Sequence, residues 1–277
     1  MKTFRFIGMA LFAILMCVNF AACSSGDDEP ETNEEGVVTN EKKLVEMKMV
    51  EDGESITYTF SYDEKNRVTT VKIVEVDTDY DETDTYTVNY TWGDGIIMGS
   101  GSGTNEAYTL KDGLITSAEL DDKYDDETDY SFTYNLSKQL VKMNIKEYAY
   151  QTYTTTNTYT WSNNRITMME SEDEWSNETS KVSYGNKTCK GYFPLGAYGV
   201  HFNLAFVHPE LLGMRTNQLP SQIYTKWDSE WDSEEDTEDI TYSFTNDGYI
   251  ESCTIKETEV YNGEVDVETI IYTFKWQ

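Results

Sequence analysis

The sequence repeats one short pattern, in which aromatic and hydroxyl-bearing residues alternate, a turn follows, and a second alternating run returns. In Tyr58–Tyr62 the aromatic rings fall on one face of a strand and the hydroxyls on the other, because successive side chains of a strand point to opposite faces. Aromatic and β-branched residues favour strands, and Asn-Asp-Gly at 246–248 supplies the positive φ of a tight hairpin. The pattern favours a β fold.

The hairpin recurs along the chain. Six copies lie at 58–73, 86–98, 107–115, 130–143, 159–168 and 242–253. Hairpins in series form an antiparallel up-and-down meander, so the repeat predicts a mainly β domain of about 12–14 strands, curled into a barrel-like sheet. One such domain covers residues 44–277.

Residues 189–222 break the alternation. Asn203–His208 is apolar without a period of two, and Pro209–Gly213 has the Pro start and Gly stop of a helical turn. We expect a short helical insert near residues 203–213 that covers one mouth or edge of the sheet. It would bury Leu204, Phe206, Leu211 and Leu212. The alternative is a ligand site.

The first residues are typical of an export signal. Lys2 and Arg5 precede an apolar run that ends at Phe20, too short to cross a membrane comfortably. Residues 1–22 are therefore a predicted signal peptide. The end of this segment, Phe20-Ala-Ala-Cys23, resembles a bacterial lipobox, which implies cleavage before Cys23 and lipid attachment to its thiol. Ordinary cleavage nearby is the alternative.

The segment after Cys23 is acidic. Ser24–Glu29 resembles the export tag of surface lipoproteins in the Bacteroides-like group, which implies the outer membrane, with the cell surface as the side. Residues 23–43 are polar and predict a flexible tether. The membrane is thus an expected partner through the lipid anchor. Cys189 and Cys253 then remain as an even pair, which predicts either a disulfide or two buried free thiols.

Two further resemblances concern the domain. Tyr58–Val68 is similar to the YD repeat of Rhs-type proteins, with Asn66 where that repeat has Gly. Residues 44–277 resemble a family of uncharacterised bacterial lipoproteins, a domain of unknown function with a porin-like fold. Gly213–Ser221 is similar to the Gly…Asn-x-Leu-Pro-Ser element of that family. The resemblance implies a closed or nearly closed sheet and brings no activity.

The charge is strongly one-sided. Asp and Glu number 51 against 21 Lys and Arg, a net charge of -30 that makes nucleic acid a poor partner. In a meander the turns alternate between two ends, so the acidic segments gather at one rim. They are Asp77–Asp84, Asp121–Asp129, 172–174 and 228–236. The aromatic residues among them are predicted ligand contacts for a glycan or a protein: Tyr80, Tyr124, Trp175, Trp227 and Trp231.

Sequence patterns for chemistry are weak. Asp77, Asp79 and Asp81 open like a calcium loop, but Glu82 and Val88 stand where such a loop needs Gly and a bidentate Glu, so we predict no metal site. His201 and His208 lie in the apolar insert and predict core residues. The sequence carries no nucleophile elbow or phosphate-binding loop, and we predict no cofactor and no enzymatic activity.

Three functions follow in order. The first is a lipid-anchored binding or interaction protein, the second a carboxylate-based glycan hydrolase, and the third a membrane-embedded β-barrel. Charged residues interrupt the strands, whereas a spanning strand needs an apolar outer band. These residues are Lys72, Glu75, Lys142 and Lys146. We therefore expect a soluble domain.

Overall fold

The computed structural model describes residues 41–277 except 79, 102–103, 123–126, 149–151, 201, 230–232 and 262. The predicted signal peptide, Cys23 and nearly all of the tether lie outside the described residues. The strands are β1 (Leu44–Glu51), β2 (Glu54–Tyr62), β3 (Val68–Asp77), β4 (Glu82–Trp92), β5 (Ile96–Gly101), β6 (Thr104–Lys111), β7 (Leu114–Asp122), β8 (Glu127–Tyr134), β9 (Leu140–Tyr148), β10 (Thr152–Ser162), β11 (Arg165–Glu172), β12 (Ser176–Thr188), β13 (Gln218–Ser229), β14 (Ser233–Phe244), β15 (Ile250–Tyr261) and β16 (Glu264–Trp276). Helix α1 (Leu204–Val207) and a 3-10 helix (Pro209–Leu212) lie between β12 and β13.

The strands form one closed sheet. Each strand pairs antiparallel with the next, and β1 closes the barrel by pairing with β16. Lys43 and Gln277 continue this seam, because the N–H of each donates to the carbonyl of the other at 2.8 and 2.9 Å. The predicted antiparallel meander curled into a barrel is confirmed.

The six predicted hairpins are β2–β3, β4–β5, β6–β7, β8–β9, β10–β11 and β14–β15. Four further strands, β1, β12, β13 and β16, raise the predicted 12–14 to sixteen in the described chain. They do not belong to copies of the aromatic hairpin. Strand β12 illustrates why, since Tyr184 is its one aromatic residue and a long insert, rather than a tight turn, follows it.

Successive turns alternate between two ends of the barrel. One end holds Lys43, Gln277 and the insert 189–217, and we call it the plugged end. The other holds the turns that follow the odd-numbered strands, including those between β3 and β4, β11 and β12, and β13 and β14. We call it the acidic end, because the described parts of the charged segments predicted for one rim lie there.

The alternation within each strand separates the core from the outer wall. Phe60 is only 3% exposed and faces inward, whereas its neighbours Thr59 and Ser61 are exposed on the outside. Tyr130 and Phe132 likewise stack within the barrel, with ring centroids 6.1 Å apart. Burying each such side chain contributes roughly 1.5–3 kcal/mol. The barrel therefore has an aromatic interior and a hydroxyl-rich exterior.

Three turns at the plugged end share one construction. In Asp63–Arg67 and Asn135–Gln139, the side chain of the first residue accepts backbone N–H groups of the third and fifth. The fourth residue has a positive φ in both and in Thr245–Tyr249: Asn66 at 63°, Lys138 at 60° and Gly248 at 91°. Asn tolerates this conformation better than most residues, which accounts for Asn66 where a YD repeat has Gly.

The insert 189–217 enters the barrel from the plugged end. Phe202 packs among inward rings, with centroids 5.0 Å from Tyr108, 5.9 Å from Tyr130 and 6.3 Å from Phe132. On another side of the barrel the Tyr159 hydroxyl donates to the carbonyl of Tyr198 at 2.7 Å. The insert thus fills the interior and acts as a plug.

The predicted helical insert near 203–213 is confirmed. Leu204 and Leu212 are fully buried, and Phe206 and Leu211 are partly buried against the core. Gly213 ends the 3-10 helix with a φ of 62°, and a Cβ there would lie 2.0 Å from the carbonyl oxygen of Lys138. Glycine is therefore required where the plug meets the β8–β9 turn.

His208 is a core residue of the plug. The Val68 N–H donates to its Nε2 at 3.2 Å, and its Nδ1 lies 2.8 Å from Glu210 Oε1. Its ring packs edge-on against Trp92 at 5.2 Å. Because Nε2 accepts from Val68, Nδ1 is the ring nitrogen that donates to Glu210. His201 lies outside the described residues.

Of the two alternatives for the remaining cysteines, the structure has the second, since Cys189 and Cys253 are free, buried thiols. Cys189 opens the insert, where its N–H donates to the carbonyl of Asn217 at 2.8 Å, whereas Cys253 faces inward from β15 opposite Tyr242. Burial raises the pKa of Cys189 to about 12 and that of Cys253 further, so neither is a reactive thiolate. No helix in the described part of the chain is long and apolar enough to cross a membrane.

Candidate functional site

The inner face changes character from the plugged end to the acidic end. On β14 the inward residues run Ile240, Glu238, Asp236, and on β15 they run Ile255, Glu257, Glu259. Strand β16 continues the pattern with Ile270, Glu268 and Asp266. Three neighbouring strands thus turn from isoleucine to carboxylate at the same level of the barrel.

Strand register aligns these acids in rows. Glu238 pairs with Glu257, and Glu257 pairs with Glu268. Asp236, Glu259 and Asp266 form the second row, nearer the acidic end. Directly opposite side chains in a sheet have Cβ atoms about 4.5–5.5 Å apart. We call these six residues the carboxylate ladder: Asp236, Glu238, Glu257, Glu259, Asp266 and Glu268.

The ladder favours protonated carboxyls. Burial, followed by the charge of neighbouring acids, raises the pKa of Glu257 to about 7 and that of Asp236 to about 6. Burial also raises the pKa of Glu268. The pKa of Glu51, which lies beside Glu268, is raised by burial and by the charge of Glu268. The ladder therefore holds protons near neutral pH.

Glu238 is the most deeply buried member. It is 6% exposed, and its Oε2 has no hydrogen-bond partner among the described residues. Burial and then the charges of Glu257, Asp236 and Glu178 raise its pKa well above the ordinary value. No salt bridge joins a ladder carboxylate to a basic residue in the described part of the chain. A buried carboxyl without a partner costs stability.

A polar and aromatic border lies beside the ladder on β12 and β13. Ser180 and Thr225 are buried and joined hydroxyl to hydroxyl at 2.9 Å. Trp227 pairs with Glu178 on one side and with Glu234 on the other. Burial raises the pKa of Glu178 to about 7. This wall of the lumen therefore offers carboxyls, hydroxyls and one indole.

The predicted ligand-contact aromatics are spread around the opening. Tyr80 and Trp175 lie in the β3–β4 and β11–β12 turns, and each is 64% exposed. These turns are eight strands apart in a ring of sixteen, so the two rings stand on opposite sides. Trp227 is the one that register places beside inward carboxyls. Tyr124 and Trp231 lie outside the described residues.

Sequence reasoning missed the ladder, because it assigned only Asp236 to the acidic rim and gave the other five acids no position. The signal that it missed is the position of these acids in the inward–outward alternation of their strands. In Asp236-Thr-Glu238-Asp-Ile240 the acids share the period of two with a core isoleucine, and the same holds for Ile255-Lys-Glu257-Thr-Glu259. Glu75 was also expected to interrupt an outer face, but it lies on the inward face of β3 opposite Asp84, where burial raises its pKa.

A second buried carboxyl, Glu106 on β6, contrasts with Glu238. It is 3% exposed, and its Oε2 accepts hydrogen bonds from the hydroxyls of Tyr90, at 2.6 Å, and Tyr108. The plug supplies a third partner, since Asn203 Nδ2 donates to Oε1 at 3.3 Å. Glu106 therefore fastens the plug to the wall. Among the described residues no group of three or more His, Cys, Asp or Glu side chains has the arrangement of a metal site.

Comparisons with known proteins agree with the fold. A porin-like protein from Bacteroides uniformis is 21% identical, with a TM-score of 0.59, over 84% of this chain and 96% of that one. A porin-like protein from Bacteroides vulgatus is 10% identical, with a TM-score of 0.57, over 86% of this chain and 99% of that one. No protein-family model and no curated protein matches. The porin-like fold implied by the family resemblance is confirmed.

Proposed function

We propose that the protein is a lipid-anchored surface protein of the outer membrane that binds a ligand at the open, acidic end of its barrel. One observation carries the proposal: the chain enters the barrel at the plugged end, where Lys43 and Gln277 hydrogen-bond. A lipid on Cys23 would therefore hold the plugged end toward the membrane. The acidic end would face away, toward whatever the protein binds.

The outer wall supports a barrel that stands on the membrane and does not cross it. The outward residues of β10 are Thr154, Thr156, Thr158 and Thr160, and Lys72 and Lys146 are exposed on the outsides of β3 and β9. A membrane-spanning barrel needs an apolar band around its whole circumference. Exposed outward apolar residues occur here on a few strands, such as Val265, Val267 and Ile271 on β16.

Two experiments test the anchoring and the solubility. A Cys23→Ala variant should lose labelling by a radioactive fatty acid and leave the membrane fraction. Residues 31–277 should be recovered without detergent, since the closed sheet and its core lie within residues 44–277. Recovery only from detergent-solubilised membranes would replace this proposal with the embedded barrel.

The binding role is tested by screening residues 31–277 against glycans and surface proteins. We expect a ligand whose binding weakens when Trp227 is replaced by Ala and is unchanged for Tyr224→Ala, a substitution on the opposite face of β13. Equal effects of the two substitutions would remove the lumen from the proposal.

A glycan hydrolase is the second candidate, favoured by the raised pKa of Glu178, whose strand partner is the indole of Trp227, and by the raised pKa of Glu257. Glycoside hydrolases use a pair of carboxyls and keep one of them protonated near neutral pH. Turnover of any polysaccharide that is lost in Glu257→Gln and retained in Glu251→Gln would favour the enzyme. Glu251 lies on the outward face of the same strand and is exposed.

A further inference from the structure

The carboxylate ladder combines a row of acids with a buried oxygen that lacks a partner. Glu238 Oε2 is enclosed by the wall, and no described residue donates to it. Its inward neighbours across β15 and β16 are Glu257 and Glu268, which are acceptors when ionised. The ladder therefore has more acceptors than donors, and a ligand that brings several cationic donors would balance them.

The layout of the ladder selects the shape of the cation. Neighbouring strands are about 4.8 Å apart, and inward residues on one strand are roughly 6.7 Å apart, so the carboxyls form a grid. A metal ion needs several oxygens at about 2.3–2.6 Å from one point. The described residues contain no such convergence. A chain of ammonium groups joined by short alkyl segments can instead place one positive charge on each carboxyl along a row.

The border of the ladder suits the same ligand. Trp227 lies between Glu178 and Glu234 in register, so its ring stands among carboxyls. Ammonium groups bind both to carboxylates and to the faces of indole rings. On the plugged side the ladder ends at Ile240, Ile255 and Ile270, which are buried in the core and confine a ligand to the level of the carboxyls.

We propose that the carboxylate ladder binds an aliphatic polyamine, with its ammonium groups on Glu238, Glu257 and Glu268. This inference rests on the proposed binding role and names the chemistry of the ligand. Binding displaces protons shared among the ladder carboxyls, because each ammonium stabilises the ionised form.

The test is calorimetric titration of spermidine into residues 31–277 at pH 7.5 and low salt. We expect one site that weakens as sodium chloride is added, since ion pairs are screened. A Glu238→Gln/Glu257→Gln double variant should bind at least tenfold more weakly. Glu251→Gln, which removes an exposed outward charge from β15, should bind as the parent does. Near-UV circular dichroism checks that each variant folds.

Three outcomes would overturn the proposal: equal spermidine affinity in the parent and the double variant, equal weakening in Glu251→Gln, or calcium binding more tightly than spermidine at matched ionic strength. The last would make the ladder a metal site. A second readout is proton release, measured in two buffers of different ionisation enthalpy, and its absence would also contradict the proposal. If the domain is recovered without detergent and binds another ligand but not spermidine, this inference alone is refuted. Recovery of the domain only in detergent would refute the proposed function.

Discussion

Glu106 and Glu238 are both buried carboxyls on the inner wall of one barrel, and their surroundings differ. Two tyrosines and an asparagine of the plug donate to Glu106. Glu238 faces other acids, and its Oε2 has no donor in the described chain. The first arrangement stabilises the fold, because buried polar groups with partners fix a unique packing. The second costs stability and lies toward the acidic end, where we propose that a ligand binds.

The largest expected effect comes from a substitution in the plug. Phe202→Ala removes a ring that packs among Tyr108, Tyr130 and Phe132, and it should lower the free energy of unfolding by about 3–5 kcal/mol. Chemical denaturation measures the change. A loss below 1 kcal/mol would show that the plug is not part of the cooperative core.

A glycine pair separates a steric clash from backbone strain. Gly213→Ala should cost roughly 3 kcal/mol, since its Cβ would meet the Lys138 carbonyl oxygen at 2.0 Å. Gly113 has a φ of 80° but nothing within 4 Å of an added Cβ. Gly113→Ala should therefore lower the free energy of unfolding by about 1 kcal/mol. Thermal unfolding of both variants provides the comparison. Equal losses would mean that the plug retreats freely from the β8–β9 turn.

The two ends should respond oppositely to pH. The pKa of Glu178 and Glu257 is about 7 in the folded chain and 4.5 as the ordinary value, so the folded state binds more protons between these limits. Their stabilising contribution is complete below pH 4.5 and is lost as the pH rises through 7. We expect stability to fall by on the order of 2 kcal/mol from pH 5 to 8, after allowance for solvent screening.

At the plugged end the direction is reversed. Hydrogen bonds from Arg67 lower the pKa of Asp63, and those from Lys42 and Thr245 lower that of Asp247 to about 2. These acids lose their contribution only when the pH falls through the lowered values, outside the window from 5 to 8. Urea denaturation at several pH values measures the slope, and stability that rises from pH 5 to 8 would contradict the ladder assignment.

Removing one charge from the ladder sharpens the comparison. Glu238→Gln should raise the free energy of unfolding at pH 8 by about 1–2 kcal/mol, because a buried like-charge neighbour is lost. The matched Glu251→Gln should change it by less than about 0.5 kcal/mol. If Glu238→Gln destabilises the barrel instead, its carboxylate has a donor, and the contrast with Glu106 fails.

The smallest effect concerns the rim. Tyr80→Ala and Trp175→Ala should each change stability by no more than about 0.5 kcal/mol, since both side chains are 64% exposed. Any loss of ligand binding in these variants would then be a direct effect. A loss of 2 kcal/mol would show that the rings support the turns structurally.

The sequence predicts the wall better than the lumen. Each aromatic hairpin reports its own geometry, because Tyr58, Phe60 and Tyr62 alternate locally with Thr59 and Ser61. The plug was also predictable, since Pro209 and Gly213 punctuate an apolar run. The ladder was not, because it arises from register: Glu238, Glu257 and Glu268 meet only when three strands pair at one level. A single acidic residue in a strand does not state which face it occupies.

The seam between β1 and β16 has a kinetic consequence. Strand β1 can pair with β16 only once the whole chain is present, so closure of the barrel is the most non-local contact in the domain. Such pairings slow folding, since the chain loses the entropy of loop closure before the stabilising contacts between the strands form. Until β16 has formed, β1 has an unpaired edge that is open to aggregation. Early packing of the plug would protect that edge until the barrel closes.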